Sequence, residues 1–233
     1  MRIKLTAAIA VFACASAAAI AQAGPVPVAV YSFQSGGDVA AFQKQMGKAC
    51  RKKWHQDKAM SIGVGKKTQR CAFDTSVVGD STDPGSDMEM TASAALGGGG
   101  GKKIRNKAYI AVAVRSDATT GYELRVRPVA QKWQLFRDPP GDPPPALFRA
   151  GENRAIKANR PTPMMLRAFD LNTPATTVIA KIGKKTLISF SDSSADQPNG
   201  RRSAVAVGIK GKGAATGITG IFDNVAIRVP SPS

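Results

Sequence analysis

Histidine occurs once in the 233 residues, as His55, and glutamate only at Glu89, Glu123 and Glu152. A metal centre built from several imidazoles is thereby excluded, and any Ser-His-Asp triad would have to run through His55. Nothing around "KKWHQDK" supplies the Gly-x-Ser-x-Gly turn of a nucleophile elbow. Aromatic residues make up only 6% of the chain, too few to interleave its basic residues with the stacking platforms of a nucleic-acid reader. No apolar run after the first twenty-odd residues is long enough to cross a bilayer. The glycine run "LGGGGGKKI" fails as a phosphate loop: its spacing is short, no Ser or Thr follows the lysine, and no helical pattern follows.

What is present starts with an export signal. Arg2 and Lys4 precede an apolar stretch from Leu5 to Ile20, and "AQA" offers small residues before Gly24, so residues 1–23 read as a secretory signal peptide cleaved after Ala23. Residues 24–233 then form one exported domain with no transmembrane segment, and the location expected is extracellular, by bacterial export. Cys14 in "VFAC" has a weak lipobox character, but Phe12 is bulky where that pattern wants a small residue. The expected mature chain keeps Cys50 and Cys71, which in an oxidising compartment pair as one structural disulfide. Removing Arg2 and Lys4 lowers the formal net charge from +17 to +15. Basic pairs such as Lys66–Lys67, Lys102–Lys103, Lys184–Lys185 and Arg201–Arg202 fall at turns and loops, dispersed along the sequence. They read either as a solvated basic surface or as contacts to an anionic cell-envelope polymer, and nucleic acid is disfavoured.

Almost every segment has strand character, with β-branched residues alternating with small or polar ones between Gly, Pro, Asn and Asp clusters. "NKAYIAVAVRSD" sets Ile110, Val112 and Val114 on one face. "GYELRVRPVAQKWQLFRD" sets Tyr122, Leu124 and Val126 against Glu123, Arg125 and Arg127, turns near Pro128 to Lys132, and returns through Trp133, Leu135 and Phe136. "TTVIAKIGKKTLISFSD" reads as a second hairpin turning at "GKK". "KAMSIGVG", "QRCAFDTSVV", "DMEMTASAAL", "SAVAVGIKG" and "IFDNVAIRV" each suit a strand. "GDVAAFQKQMGKAC" stays open between helical turn and loop, and the Gly97–Gly101 run and "DPPGDPPPALF" are expected in surface loops. The pattern predicts an all-β, two-sheet antiparallel β-sandwich.

The succession "YELRVRP", "WQLFR", "MMLRAFD", "TTVIAKIGKKTLISFSD" and "GITGIFDNVAIRV", over roughly residues 105–229, resembles the concanavalin A-like jelly rolls, especially laminin G-like and 3-keto-disaccharide hydrolase-like modules of secreted bacterial proteins. The resemblance implies two packed antiparallel sheets, a concave face that binds carbohydrate, and in some members a calcium ion tying loops together.

Glycoside hydrolysis needs two carboxyl groups about 5–10 Å apart. Asp87 and Glu89 are the best-spaced pair, because residues two apart on a strand share a face at about 7 Å. The E-x-D-x-E motif of jelly-roll glucanases is nevertheless incomplete here, with Thr91 at its third acid. A non-catalytic module that binds carbohydrate or another cell-surface polymer is therefore the leading expectation, with a glycoside hydrolase and a basic structural or adhesive surface protein as the alternatives. Trp54 and Trp133 carry flat indoles that suit a sugar ring or a core, and Trp133 alternates with Leu135 as a core residue does. On the open sheet face the guanidinium and amide groups of Arg125, Arg127, Gln134 and Arg167 are the candidate glycan contacts. Strict alternation puts Asp223 on the face of Ile221, Val225, Ile227 and Val229, which demands a partner for its charge. Backbone N–H groups of a loop or bulge would serve, and so would a calcium ion shared with loop carbonyls.

Overall fold

Because side chains on a strand point alternately to opposite faces, a half-apolar strand has only one side to bury, and two such sheets cover each other. The computed structural model describes residues 26–34, 36–46, 49–55, 59–75, 87–117, 120–138, 146–170, 174–198, 200–211 and 214–229. The expected signal peptide, Cys14 and residues 139–145 of the proline-rich stretch lie outside the described residues. In chain order the elements are β1 (Val26–Tyr31), α1 (Gly36–Ala40), β2 (Phe42–Met46), β3 (Cys50–His55), β4 (Ala59–Val64), β5 (Arg70–Thr75), β6 (Met88–Gly98), α2 (Lys102–Arg105), β7 (Ala108–Asp117) and β8 (Thr120–Arg127). There follow β9 (Lys132–Asp138), β10 (Ala146–Glu152), β11 (Thr162–Asp170), β12 (Thr176–Ile182), β13 (Lys185–Asp192), β14 (Arg202–Ile209) and β15 (Ile218–Val229).

The first sheet runs β13-β12-β11-β6-β15-β4-β3, and the second β10-β9-β8-β7-β14-β5-β2. β1 lies beside the second half of β15, and β4 beside the first half. All pairs are antiparallel. The inward faces meet as expected: Ile110, Val112 and Val114 of β7 and Tyr122, Leu124 and Val126 of β8 face Met88, Met90 and Leu96 of β6 and Leu166 of β11 in one buried core. Each large apolar side chain so buried contributes about 1.5–3 kcal/mol.

Two bulges reset the alternation. In β15 the register with β6 slips between Asp223 and Ala226, and Asn224 between them adopts φ 49°. The extra residue leaves Asp223 half-exposed on the outside with Ile221, while Phe222, Val225 and Ile227 all point into the core. The shared face expected for Asp223, Val225 and Ile227 is thus corrected, because alternation breaks at Asn224. In β7 the register with β8 slips between Val114 and Asp117, and Arg115 adopts φ 50°. There the bulge does the reverse and buries a charge: Arg115 is 3% exposed. Gly200 is required beside it, since a Cβ at that position would lie 2.4 Å from the Ser116 carbonyl carbon.

Arg115 helps to clamp the sheets at one end. Its guanidinium donates to the Thr176 hydroxyl and pairs with Asp170, both at 2.8 Å and both in the first sheet. The Tyr122 hydroxyl donates to Asp192 of β13 at 2.7 Å, and Arg137 of β9 reaches the same carboxylate and Asp196. Burial first, then the Asp192 carboxylate, pushes the Tyr122 phenol well above its ordinary pKa, so it stays a donor. At the other end the Cys50–Cys71 disulfide joins β3 to β5 and so ties the sheets together, with Cα atoms 5.6 Å apart.

Several elements differ from expectation. The segment left open forms α1 and β2, with Lys52 of β3 donating to the carbonyls of Val39, Ala40 and Phe42 around the helix end. Gly97 and Gly98 finish β6, the short helix α2 follows the glycine run where no helix was expected, and Ala146, Leu147 and Phe148 enter the edge strand β10 where a loop was expected. Replacing both disulfide cysteines by alanine is expected to lower unfolding free energy by about 3 kcal/mol on the loop-entropy account, read from the urea midpoint of the oxidised protein. An unchanged midpoint would mean that the Arg115 and Tyr122 contacts alone hold the sheets.

Candidate functional site

The outer face of the second sheet carries a surface that its inward alternation dictates. With Tyr122, Leu124 and Val126 committed to the core, Glu123, Arg125 and Arg127 face outward on β8. Cross-strand register aligns Asp74, Ala204, Ala113, Glu123 and Phe136 in one row and Ala72, Ala206, Ala111, Arg125 and Gln134 in the next. Between the long residues of β5 and those of β8 and β9 lies a strip of alanines, flanked by Gly208. Ala72, Ala111 and Ala206 pack with Tyr109 in a small buried cluster of their own.

Over this strip lies an ionic bridge. Arg70 of β5 contacts Glu123 of β8, and the Arg125 Nε donates to the other Glu123 oxygen at 2.6 Å. β14 and β7 separate β5 from β8, so a flat sheet would hold them about 14 Å apart. The contact therefore requires a curled sheet with nothing taller than alanine beneath the two side chains. Arg125 also stacks on aromatic rings, 4.1 Å from the Phe136 centroid and 5.0 Å from that of Tyr109. Burial raises the Glu123 pKa, but the positive charges of Arg125 and then Arg70 outweigh it and hold the carboxyl below its ordinary range.

The predicted contacts divide among three places. Arg125, Arg127 and Gln134 share this outer face, as expected, with Gln134 opposite Arg125 in register. Arg167 does not join them: it lies on the outside of the first sheet, 4.4 Å from the Phe169 ring and 3.9 Å from Asp87. Trp133 is 8% exposed and faces the core, and its indole lies so close to Gly151 that a Cβ there would sit 2.9 Å from it, so the ring is not presented to a sugar. Trp54 is 43% exposed at the edge of the first sheet, its Nε1 donating to the Phe33 carbonyl at 2.9 Å. Asp223 accepts from the backbone N–H and side-chain amide of Asn224 at 2.7 and 2.8 Å, the bulge partner its position asked for. Among the described residues no group of three or more His, Cys, Asp or Glu side chains is placed to hold a metal ion.

The acids Asp87 and Glu89 are each engaged: Asp87 accepts the Asp170 N–H at 2.8 Å, and Glu89 pairs with Arg228 at the same distance. Burial raises the Asp87 pKa against the lowering effects of that N–H and Arg167. Sequence reading missed Tyr109 and Phe136 as partners of Arg125, although their outward parity was available. It also missed an open groove of about 390 Å³ between edge strands β10 and β13, lined by Phe148, Arg149, Ile188, Ser189 and Phe190.

The fold has solved relatives. Endo-1,3-β-glucanase from Streptomyces sioyaensis superposes with a TM-score of 0.65 at 10% identity, covering 90% of this chain and 98% of that one. The Emp46p carbohydrate recognition domain gives 0.57 at 10%, covering 84% and 93%, and the carbohydrate-binding module CBM66 from Bacillus subtilis 0.53 at 14%, covering 81% and 95%. The chain thus has the concanavalin A-like, galectin-like β-sandwich fold. No protein-family profile matches it, and no curated protein does.

Glu123→Gln leaves two guanidinium groups facing a neutral amide and is expected to cost about 3 kcal/mol at neutral pH. A carboxylate whose folded pKa is depressed stabilises the fold above its unfolded pKa and loses that contribution as pH falls through the folded value. The deficit of the variant should therefore shrink below pH 4.5, the ordinary value for this group, in urea titrations run across the acid range. A deficit constant with pH would show that Glu123 acts by shape rather than charge.

Proposed function

We propose that this protein is an exported, non-catalytic module that binds carbohydrate on the outer face of its second sheet. The observation that carries the reading is the Arg125 assembly, in which a guanidinium fixed by a desolvated carboxylate stacks on Phe136 and Tyr109 beside Arg127 and Gln134. Preorganised forks of this kind meet sugar hydroxyls or acidic sugars at small entropic cost, and aromatic rings cover the apolar C–H patches that water solvates poorly. Solved relatives described as carbohydrate-binding modules or recognition domains support it on the same fold. The export signal in the sequence and the disulfide fit an extracellular site of action.

The test is retention of the oxidised protein on a panel of insoluble polysaccharides. Phe136→Ala and Arg125→Gln are expected to weaken retention on the preferred glycan on the order of tenfold, with circular dichroism unchanged. Retention indifferent to both substitutions would rule out this face.

A second reading, glycoside hydrolysis, is favoured by one observation: Asp87 has a raised pKa two residues from the ion-paired Glu89, the division of labour an acid and a base require. On that reading polysaccharide cleavage would vanish in both Asp87→Asn and Glu89→Gln. We expect no such cleavage, since Asp87 is held by a backbone N–H; measurable activity lost in both variants would replace the binding reading with the enzymatic one.

A further inference from the structure

Two of the basic pairs that are dispersed in sequence, Lys66–Lys67 and Lys102–Lys103, converge in space. Three connections, residues 65–69 between β4 and β5, 99–107 between β6 and β7, and the described residues 210–211 and 214–217 between β14 and β15, meet at one end of the sandwich. Backbone hydrogen bonds tie them together: the Ile209 N–H donates to the Gln69 carbonyl at 3.1 Å, the Lys210 N–H to Lys107 at 2.9 Å, and the Ala215 N–H to Thr68 at 2.8 Å. Lys66, Lys67, Lys102, Lys103, Lys107 and Lys210 are all exposed on these loops. None of the 16 acidic residues of the chain falls within the three stretches. None of the six lysines forms an ion pair among the described residues, whereas Arg115, Arg125 and Arg137 all do.

Such a field attracts anions and holds screening counterions that a polyanion releases on binding. The chemistry of the loops narrows the partner. No aromatic residue occurs in the three stretches, so there is no platform for nucleobases to stack on. Their one large apolar side chain, Ile104, is half-buried, which leaves nothing to insert between lipid headgroups. Lysine ammonium groups on loops joined by backbone hydrogen bonds act as separate point charges and suit anions repeated along a chain. A disulfide-bonded protein belongs to compartments where such chains are acidic glycans. We infer that this end of the sandwich is a docking surface for an acidic polysaccharide carrying carboxylate or sulfate groups. The surface adjoins the Arg125 face at Gly208, where a Cβ would meet both the Tyr109 hydroxyl and the Gln69 carbonyl. The inference nevertheless rests on the loop lysines and stands independently of the glycan site proposed there.

Retention of the oxidised protein on immobilised polygalacturonate and heparin, measured against rising salt, tests it. Binding at low salt is expected to fall steeply as salt rises. Lys102→Gln with Lys103→Gln should weaken it on the order of tenfold. Lys66→Gln with Lys67→Gln should do the same. The double variant Lys44→Gln, Lys53→Gln, which removes equal charge from edge strands β2 and β3, should change it far less. Equal weakening by the edge and loop variants would overturn the assignment, reducing it to net charge alone. So would tighter retention on single-stranded DNA or on phosphatidylglycerol vesicles than on either glycan. Neutral glycan binding at high salt, if present, should be unaffected by the lysine variants, which separates this surface from the Arg125 face.

Discussion

Each strand of this sandwich has a single side to give to the shared core, and a slip of one residue turns that side outward. Everything else is arranged around that constraint. Where alternation is kept, as in β6 and β8, the core and the outer surface follow directly from it. Where a charged residue must change sides, the chain inserts one residue and accepts a left-handed conformation at a non-glycine position. Asn224 tolerates that conformation because its short polar side chain can bond locally, and here it donates to Asp223. Arg115 is a costlier occupant, offset by ionic and hydroxyl partners in the opposite sheet.

The same constraint explains why the outer face of the second sheet is lined with alanine. A ledge of small side chains lets Arg70 and Glu123 extend across two intervening strands and meet. Larger residues at Ala111 or Ala206 would occupy the path of that bridge. The bridge orients Arg125, and the stacked rings of Phe136 and Tyr109 fix the guanidinium plane. Small residues in a strand, usually read as weak strand formers, are here a requirement of the surface above them.

Much of the fold was legible because period-two alternation is a local signal. The pairings of Tyr122, Leu124 and Val126, the two hairpins, and the Cys50–Cys71 bridge follow from composition and turn chemistry. The bulges were not legible, since "FDNV" and "VRSD" carry no mark distinguishing an inserted residue from a regular one. Nor was strand order: Arg167 reads like Arg125, an arginine on the polar side of a strand, and only topology puts them on different sheets. Trp133 shows the converse, with its parity beside Leu135 already indicating the core. The gathering of lysine loops depended on long-range pairing of β5, β7 and β14, which no local window contains.

Charge in this molecule follows a division set by solvent. Groups removed from water, such as Arg115, Glu123 and Asp192, are all partnered, because an unpaired buried charge would cost several kcal/mol. Their net contribution to stability is small, and their role is to fix geometry. The lysines at the opposite end keep their hydration and make no ion pairs among the described residues, so they contribute mutual repulsion to the folded state. Held together by backbone hydrogen bonds between the loops rather than by counter-charges, they are free to exchange screening ions for a polymer. The same loop contacts that complete the sandwich therefore leave it with a surface whose electrostatic energy is lowered only by something outside the chain.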